Sequence, residues 1–336
     1  MSLLRRLVLA LALVIASFCP EAYGDQYPLR VHFLDVGQAD CILIQTPNQR
    51  SMLIDAGNNG DEELILSYLE RGKIKELAVV VGTHPHEDHI GSMDAVINHF
   101  TVGRIYLPPV TTTTETFASL LSAIKGKGLS VNTAKAGVEI DLDPALSVKV
   151  IAPHGGSYDE LNDYSVVIKL TYKRVSFLFT GDAEACSERR MVGEGTDLRA
   201  DLLKVGHHGG ATSTSRQFLA KVEPRYAVIS VGAGNRYGHP DHKILDRLSR
   251  FQVEVHRTDE EGTILAVSDG ESIKIMSASA AACSVAPDEI IVYITKSGGK
   301  YHQWGCGFLQ NSSIPRSLQQ AKKDGYTPCS ACRPPQ

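Results

Sequence analysis

The sequence predicts an α/β fold in which helices pack outside a central pair of β-sheets, followed by a small C-terminal module. Strand-like and helix-like stretches alternate in two comparable halves between Leu29 and Ile275, the order that layers helices on sheets. A histidine-rich run, Thr83-His84-Pro85-His86-Glu87-Asp88-His89, falls in a loop between a strand and a helix. Residues 290–336 are too few to be held by an apolar core alone, and they carry one His and three Cys that could staple them.

The elements follow in order. Arg5 and Arg6 precede the apolar run Leu7 to Ile15, and Ala22-Tyr23-Gly24 offers a small-residue cleavage site. This is the layout of a secretory signal over 1–24, so a secreted or periplasmic mature chain is expected to begin near Asp25. The apolar run falls short of the roughly 20 residues a span needs, and no later stretch approaches that length. No stable membrane span is therefore expected after cleavage, and an uncleaved anchor is the alternative. Cys19 follows the bulky Phe18, which argues against lipidation.

Leu29 to Gln45 and Ser51 to Ala56 read as strands joined by the turn Thr46-Pro47-Asn48, from their apolar alternation. Glu62 to Arg71 reads as a helix, Leu77 to Val81 as the strand before the histidines, and Gly91 to Phe100 as helix again. Strand Arg104 to Leu107, helix Thr116 to Lys127, and strands near Ser130 to Ala134 and Leu146 to Ala152 come next. Tyr164 to Tyr172 and Val175 to Thr180 form a hairpin around Lys173-Arg174. Beyond Asp182 a helix is expected, then strand Asp201 to Val205, helix Ser215 to Lys221, strand Tyr226 to Val231, helix Ile244 to Phe251, and a β-rich end from Val253 to Ile275. The main domain is thus read over 25–276. An Ala- and Ser-rich linker over 277–289 leads to the module over 290–336.

With 43% hydrophobic and 21% charged residues, the composition is that of a folded globular chain. It excludes the disordered and disulfide-scaffold classes. Cys41, Cys186 and Cys283 stand far apart in sequence, and buried free thiols are their expected state.

His84, His86, Asp88 and His89 place three imidazoles and a carboxylate within six positions. Two histidines at i and i+2 can point at one metal, and the Asp-His pair past a bend can hold a second. The bland alternative is a solvated His/Asp loop. Asp182 follows Gly181 at the end of a strand, where a cap for the next helix is the bland alternative.

His84-Pro85-His86-Glu87-Asp88-His89-Ile90-Gly91 resembles the H-x-H-x-D-H-x-G signature of the metallo-β-lactamase superfamily, whose αββα sandwich agrees with the layering above. Phe33 to Asp40, Leu53 to Gly57, Phe179 to Asp182, Lys204 to Gly209 and Tyr237 to Pro240 are further similar to the motifs of the metallohydrolase domain of ComEC-type competence proteins. The resemblance spans about Leu29 to Ile275. It implies two divalent ions, zinc or manganese, with His84 and His86 on one, Asp88 and His89 on the other, and Asp182 bridging. Where many members carry another histidine, this chain has Asn162. Either its amide oxygen serves or that position stays open. Of His207 and His208, adjacent residues that point apart in extended chain, His208 is favoured as the ligand.

Asp88, Lys204, His207 and His239 are then candidates for holding or protonating the leaving oxygen, although Lys204 could simply face solvent and His239 could simply belong to a Pro turn. Asp35, Gln38 and Asp55, at strand ends, are candidates for orienting ligand imidazoles. Metal-activated water is the implied nucleophile.

In the C-terminal module, His302 and Cys306 are followed by Cys329-Ser330-Ala331-Cys332, a zinc-ribbon-like ligand spacing for one structural zinc. A Cys329–Cys332 or Cys306–Cys329 disulfide is the rival. Residues 290–336 hold six Lys or Arg against Asp324 alone, whereas 25–289 hold 26 basic and 36 acidic residues. The module is therefore the natural place for nucleic-acid affinity. The favoured reading is a DNA phosphodiesterase or nuclease. Hydrolysis of a small ester, lactone or β-lactam is the alternative, and a non-catalytic nucleic-acid-binding protein is the third.

Overall fold

The computed structural model describes residues 28–277, 291–296, 298–303, 306–309 and 314–334. The leader read over 1–24 lies outside these residues, as does the linker read over 277–289 apart from Ser277, which ends a strand.

The first half builds six strands of an eight-stranded sheet. Leu29–Phe33 (β1) pairs antiparallel with Ile42–Gln45 (β2), and β2 with Ser51–Ile54 (β3). Glu76–Val81 (β4), Thr101–Leu107 (β5) and Val131–Thr133 (β6) then add in parallel. Parallel neighbours need crossovers, which the helices Glu62–Arg71 (α1), Glu87–Ile90 (α2), Met93–His99 (α3) and Glu115–Gly126 (α4) supply. The strand expected from Leu29 to Gln45 is broken. Residues 34–41 leave the sheet because Gly37 takes φ +72° and donates its N–H to Asp35 Oδ1.

The second half builds a six-stranded sheet. Leu146–Ala152 (β7), Val167–Tyr172 (β8) and Val175–Phe179 (β9) run antiparallel. Leu202–Lys204 (β10), Tyr226–Ile229 (β11) and Glu254–Arg257 (β12) follow in parallel. Between them lie Ala185–Gly193 (α5), Arg216–Val222 (α6) and His242–Arg250 (α7), and Thr258–Glu261 (α8) comes after β12. Thr114, Ser215 and Asp241 start α4, α6 and α7 by accepting backbone N–H groups, each cap contributing about 1 kcal/mol. The expected strand at Tyr164 begins only at Val167, since Leu161–Tyr164 winds into a 3-10 turn. Finally Ile264–Ser268 (β13) and Ile273–Ser277 (β14) return to the first sheet, with Leu29 opposite Ser268 and Phe33 opposite Ile264.

Strand alternation gives each sheet an inner and an outer apolar face. Val31 and Phe33 of β1 and Met52 and Ile54 of β3 meet Leu170, Phe177 and Phe179 of the other sheet. Val80 packs outward with Leu64 and Val96 of α1 and α3. Leu203 packs outward with Met191, Leu219 and Leu248 of α5, α6 and α7. The result is the four-layered αββα sandwich that the resemblance implies.

In the C-terminal region, Ile291–Ile294 (β15), Lys300–His302 (β16), Ile314–Ser317 (β17) and Thr327–Pro328 (β18) make a four-stranded sheet in the order β17-β15-β16-β18. Leu318–Lys323 (α9) follows β17, and Leu318 and Ala321 pack with Val292, Ile294 and Tyr301.

Candidate metal centre

Chemistry in sheets of this kind collects beyond the carboxyl ends of parallel strands. Here β3, β4, β9, β10 and β11 deliver Asp55, the His84–His89 loop, Asp182, His207-His208 and His239 to one end of the sandwich. His86 is extended and opens α2, so Asp88 and His89 sit in that helix's first turn. Gly91 must be glycine, since an added Cβ would run into the backbone of Asn58 and Asn59. Gly181 takes φ +51°, and a Cβ there would lie 2.9 Å from Thr83 Cβ, so the turn that presents Asp182 tolerates no side chain.

Asp88, His89, Asp182 and His208 each offer one ligand atom within 4.8 Å of one another. His89 Nε2 lies 3.2 Å from Asp182 Oδ2, and His208 Nε2 lies 3.3 Å from Asp88 Oδ2 and 3.6 Å from Asp182 Oδ2. His84 and His86 stand alongside, with Nε2 and Nδ1 2.9 Å apart and the His84 ring 4.2 Å from that of His89.

Asp55 fixes His89: Oδ2 is 2.8 Å from His89 Nδ1, while Thr83 N–H and Oγ1 each donate to the carboxylate at 2.7 Å. His208 Nδ1 faces the Ser230 carbonyl at 2.9 Å, which leaves Nε2 for the carboxylates.

Burial pushes the Asp182 carboxyl up, but the charges of His89 and His208 outweigh it and hold the group well below the usual range. Burial lowers His89, and the carboxylates of Asp182, Asp55 and Asp88 override it, raising the imidazole well above its ordinary value. Burial, then the charge of His89, keeps His84 low and therefore neutral, the form that ligates a metal. Asp182 Oδ1 and Asn162 Oδ1 are buried with no hydrogen-bond partner, a costly state that a cation would relieve. The donor set of imidazole nitrogen and carboxylate oxygen therefore fits divalent zinc or manganese.

Four expectations change on the structure. Lys204 neither faces solvent nor reaches the mouth. It follows Leu202 on the inward side of β10, is fully buried, and pairs with Asp40 and the Gly181 carbonyl. His207 and His208 are not extended; both have φ 51° in a tight turn. That turn sends His208 inward, while His207 stays partly open with Nδ1 3.0 Å from Glu184 Oε1 and Nε2 4.0 Å from Asp182 Oδ2. Asp35 shapes its own loop through Gly37, and Gln38 Oε1 accepts from Gly232 N–H at 3.1 Å. Neither holds an imidazole among the described residues, because the break at residues 34–41 carries both off the strand.

Asn162 donates to Glu184 Oε1 at 3.0 Å. His239 packs edge-on against His207 with centroids 5.4 Å apart, and burial, then the charges of His207 and His208, lowers its imidazole.

Asp40 and Glu184 are functional candidates that residue-by-residue reading passes over. Asp40 closes the run from Phe33 and sits 3.8 Å from His89 Nδ1 and 3.5 Å from His208 Nδ1. Glu184 lies two residues beyond Asp182, which is the local signal for it. A cavity of about 330 Å³ opens at Asp88, lined also by Gln38, Asn58, Glu87, Asn235, Arg236 and Tyr237.

In the C-terminal region, His302, Cys306, Cys329 and Cys332 bring one ligand atom each within 4.8 Å. The three cysteines are free thiols. Cys41 and Cys186 are also unpaired, and Cys283 lies outside the described residues. No described helix is long and apolar enough to cross a membrane.

A family model described as "Metallo-beta-lactamase superfamily" matches residues 34–233. ComE operon protein 3 of Bacillus subtilis is 31% identical over 70% of this chain and 32% of its own length. Recombination protein 2 of Haemophilus influenzae is 30% identical over 70% of this chain and 28% of its own. Competence protein ComA of Neisseria gonorrhoeae is 28% identical over 74% of this chain and 33% of its own. The chain thus spans about a third of the length of these relatives.

Proposed function

This chain belongs to the metallo-beta-lactamase superfamily, and from that premise we propose that it is a metal-dependent phosphodiesterase that cleaves DNA. The mouth of the centre carries the reading. Asp88 shares it with three amides, one exposed cation, one exposed phenol and Glu87, a lining suited to a phosphate with its sugar and base rather than to an apolar lactam. Relatives named for recombination and for competence agree with a nucleic-acid substrate.

In this reading His84 and His86 would hold one ion, Asp88, His89 and His208 would hold the other, Asp182 would serve both, and Asn162 would offer its spare amide oxygen. When bound, two divalent ions supply an activated water and offset charge on the phosphoryl oxygens. Asp55 keeps the His89 ring in place. His207, backed by Glu184 and partly exposed, hands a proton to the leaving alkoxide, and the low imidazole of His239 beside it accepts hydrogen bonds rather than adding charge.

The hydrolase domain occupies 25–276 after removal of the leader, which sends the protein to the periplasm or the medium. The module over 290–336 binds one zinc, and its surplus of positive charge draws nucleic acid towards an acidic catalytic body.

The test is one purified mature chain, stripped and reloaded with zinc or with manganese, assayed side by side on DNA, RNA, bis-p-nitrophenyl phosphate and nitrocefin. Fastest turnover of DNA is expected. Turnover of nitrocefin alone would overturn the reading.

A further inference from the structure

Tyr237 stands in the open beside the metal centre, 57% exposed and lining the same cavity as Asp88. Its surroundings hold it firmly. Asn235 Oδ1 accepts the backbone N–H groups of both Tyr237 and His239 at 3.1 Å, and Asn235 Nδ2 donates to the His239 carbonyl at 2.6 Å. The Tyr237 and His239 rings are nearly parallel, inclined by 28° with centroids 5.8 Å apart. His239 in turn rests edge-on against His207, whose Nε2 is 4.0 Å from Asp182 Oδ2. A ladder of three rings therefore leads from the bridging-type carboxylate out to an exposed aromatic face.

Arg236 already uses that ring. Its Cζ lies 5.0 Å from the ring centroid and Nη2 donates to Tyr237 Oη at 2.8 Å. A planar, exposed cation in this place marks where another flat group can stack.

We propose that Tyr237 forms a nucleobase-stacking subsite, on which the base flanking the cleaved phosphate takes the position of the Arg236 guanidinium while Arg236 turns to a backbone phosphate. This rests on the DNA phosphodiesterase reading and deepens it. Stacking tolerates every base, because each presents a π-face, so the subsite selects single-stranded or unpaired DNA without selecting sequence. The cavity of about 330 Å³ between Asp88 and Tyr237 lies within the size range of small-ligand sites, about 300–1,000 Å³.

The test couples residue and base. A short single-stranded DNA carrying one abasic position, moved stepwise along the strand, is cleaved by the manganese-loaded wild-type chain and by Tyr237→Ala, Tyr237→Phe and Tyr237→Trp. At one position, loss of the base should lower wild-type kcat/KM by about five- to 150-fold. Tyr237→Ala should show a similar loss with the base present and little further loss without it, whereas Tyr237→Phe and Tyr237→Trp should keep the wild-type pattern. An equal abasic penalty in wild type and Tyr237→Ala, or no penalty at any position in wild type, overturns the subsite alone. Failure of the wild type to cleave any of the strands overturns the DNA phosphodiesterase reading and the subsite with it.

Discussion

Lys204 Nζ lies against Asp40 Oδ2 with both side chains sealed from solvent, so a buried ion pair ties the end of β10 in one sheet to the loop after β1 in the other. Removing one partner of such a pair leaves an uncompensated buried charge. Lys204→Met is therefore expected to destabilise the domain by about 3–5 kcal/mol, and adding Asp40→Asn in the same chain should recover part of it. Urea denaturation midpoints decide the matter. Lost activity at unchanged stability would mean that Lys204 meets the substrate after all.

Asp182→Ala removes the carboxylate that stands between His89 and His208. Hydrolysis of every substrate should fall by more than about 100-fold, beyond what loss of a mere supporting contact produces, while the circular dichroism spectrum stays folded. Metal analysis should show fewer than two catalytic ions per chain. Retention of more than a few per cent of the activity would remove the bridging role.

Asp55→Asn keeps the shape of the side chain but loses the charge that faces His89 Nδ1 at 2.8 Å. Metal affinity at the catalytic site should weaken about 10- to 100-fold, as read by competition with a chromogenic chelator. Unchanged affinity would show that packing alone positions the His89 ring.

His32 donates a pH dependence remote from the metal centre. Its ring nitrogens lie 2.8 Å from Tyr68 Oη and 3.0 Å from Gln45 Oε1, and burial, only partly opposed by the Gln45 bond, lowers its pKa from 6.5 to about 4. Between these values the unfolded chain binds the extra proton. The contribution of neutral His32 is thus complete above the unfolded pKa and is lost as pH falls towards the folded one. The urea midpoint of the wild type should fall over that window more steeply than that of His32→Asn, and parallel curves would discard the assignment.

For the C-terminal region, native mass spectrometry of the mature chain is expected to show one zinc that disappears in a Cys329→Ser, Cys332→Ser double variant, with catalytic-site metals retained. Three thiols and an imidazole within 4.8 Å would make a bound zinc part of the folding free energy. Limited proteolysis should therefore cut this region in the variant first. An internal disulfide in the native chain would contradict the zinc.

Legibility from sequence follows the distance over which the information runs. His84, His86, Asp88 and His89 share one loop, so a single stretch declares them, and Asp182 stands out by its Gly-Asp turn. The layering is legible too, because apolar alternation in β1, β3 and β9 is a local property of each strand. Asp40 is not, since its meaning lies in His89, His208 and Lys204, all distant along the chain. Lys204 misleads because a lysine in a short strand reads as solvent-facing until the facing sheet is in view. The turn at His207-His208 is hidden for a different reason: two consecutive left-handed residues that are not glycine go against local preference, and only the tertiary contacts that hold them explain the conformation.

β1 is clasped between β2, its immediate successor, and β13, which arrives only at Ile264. As the polypeptide is synthesised, the open edge of β1 must wait for nearly the whole domain, exposed to adventitious pairing with other chains and slowed by the long-range closure it requires. The loop bearing Asp40 hangs from that unfinished strand. Asp40, which faces His89 and His208 across the sandwich, is therefore set in its final place only once β13 has closed the sheet.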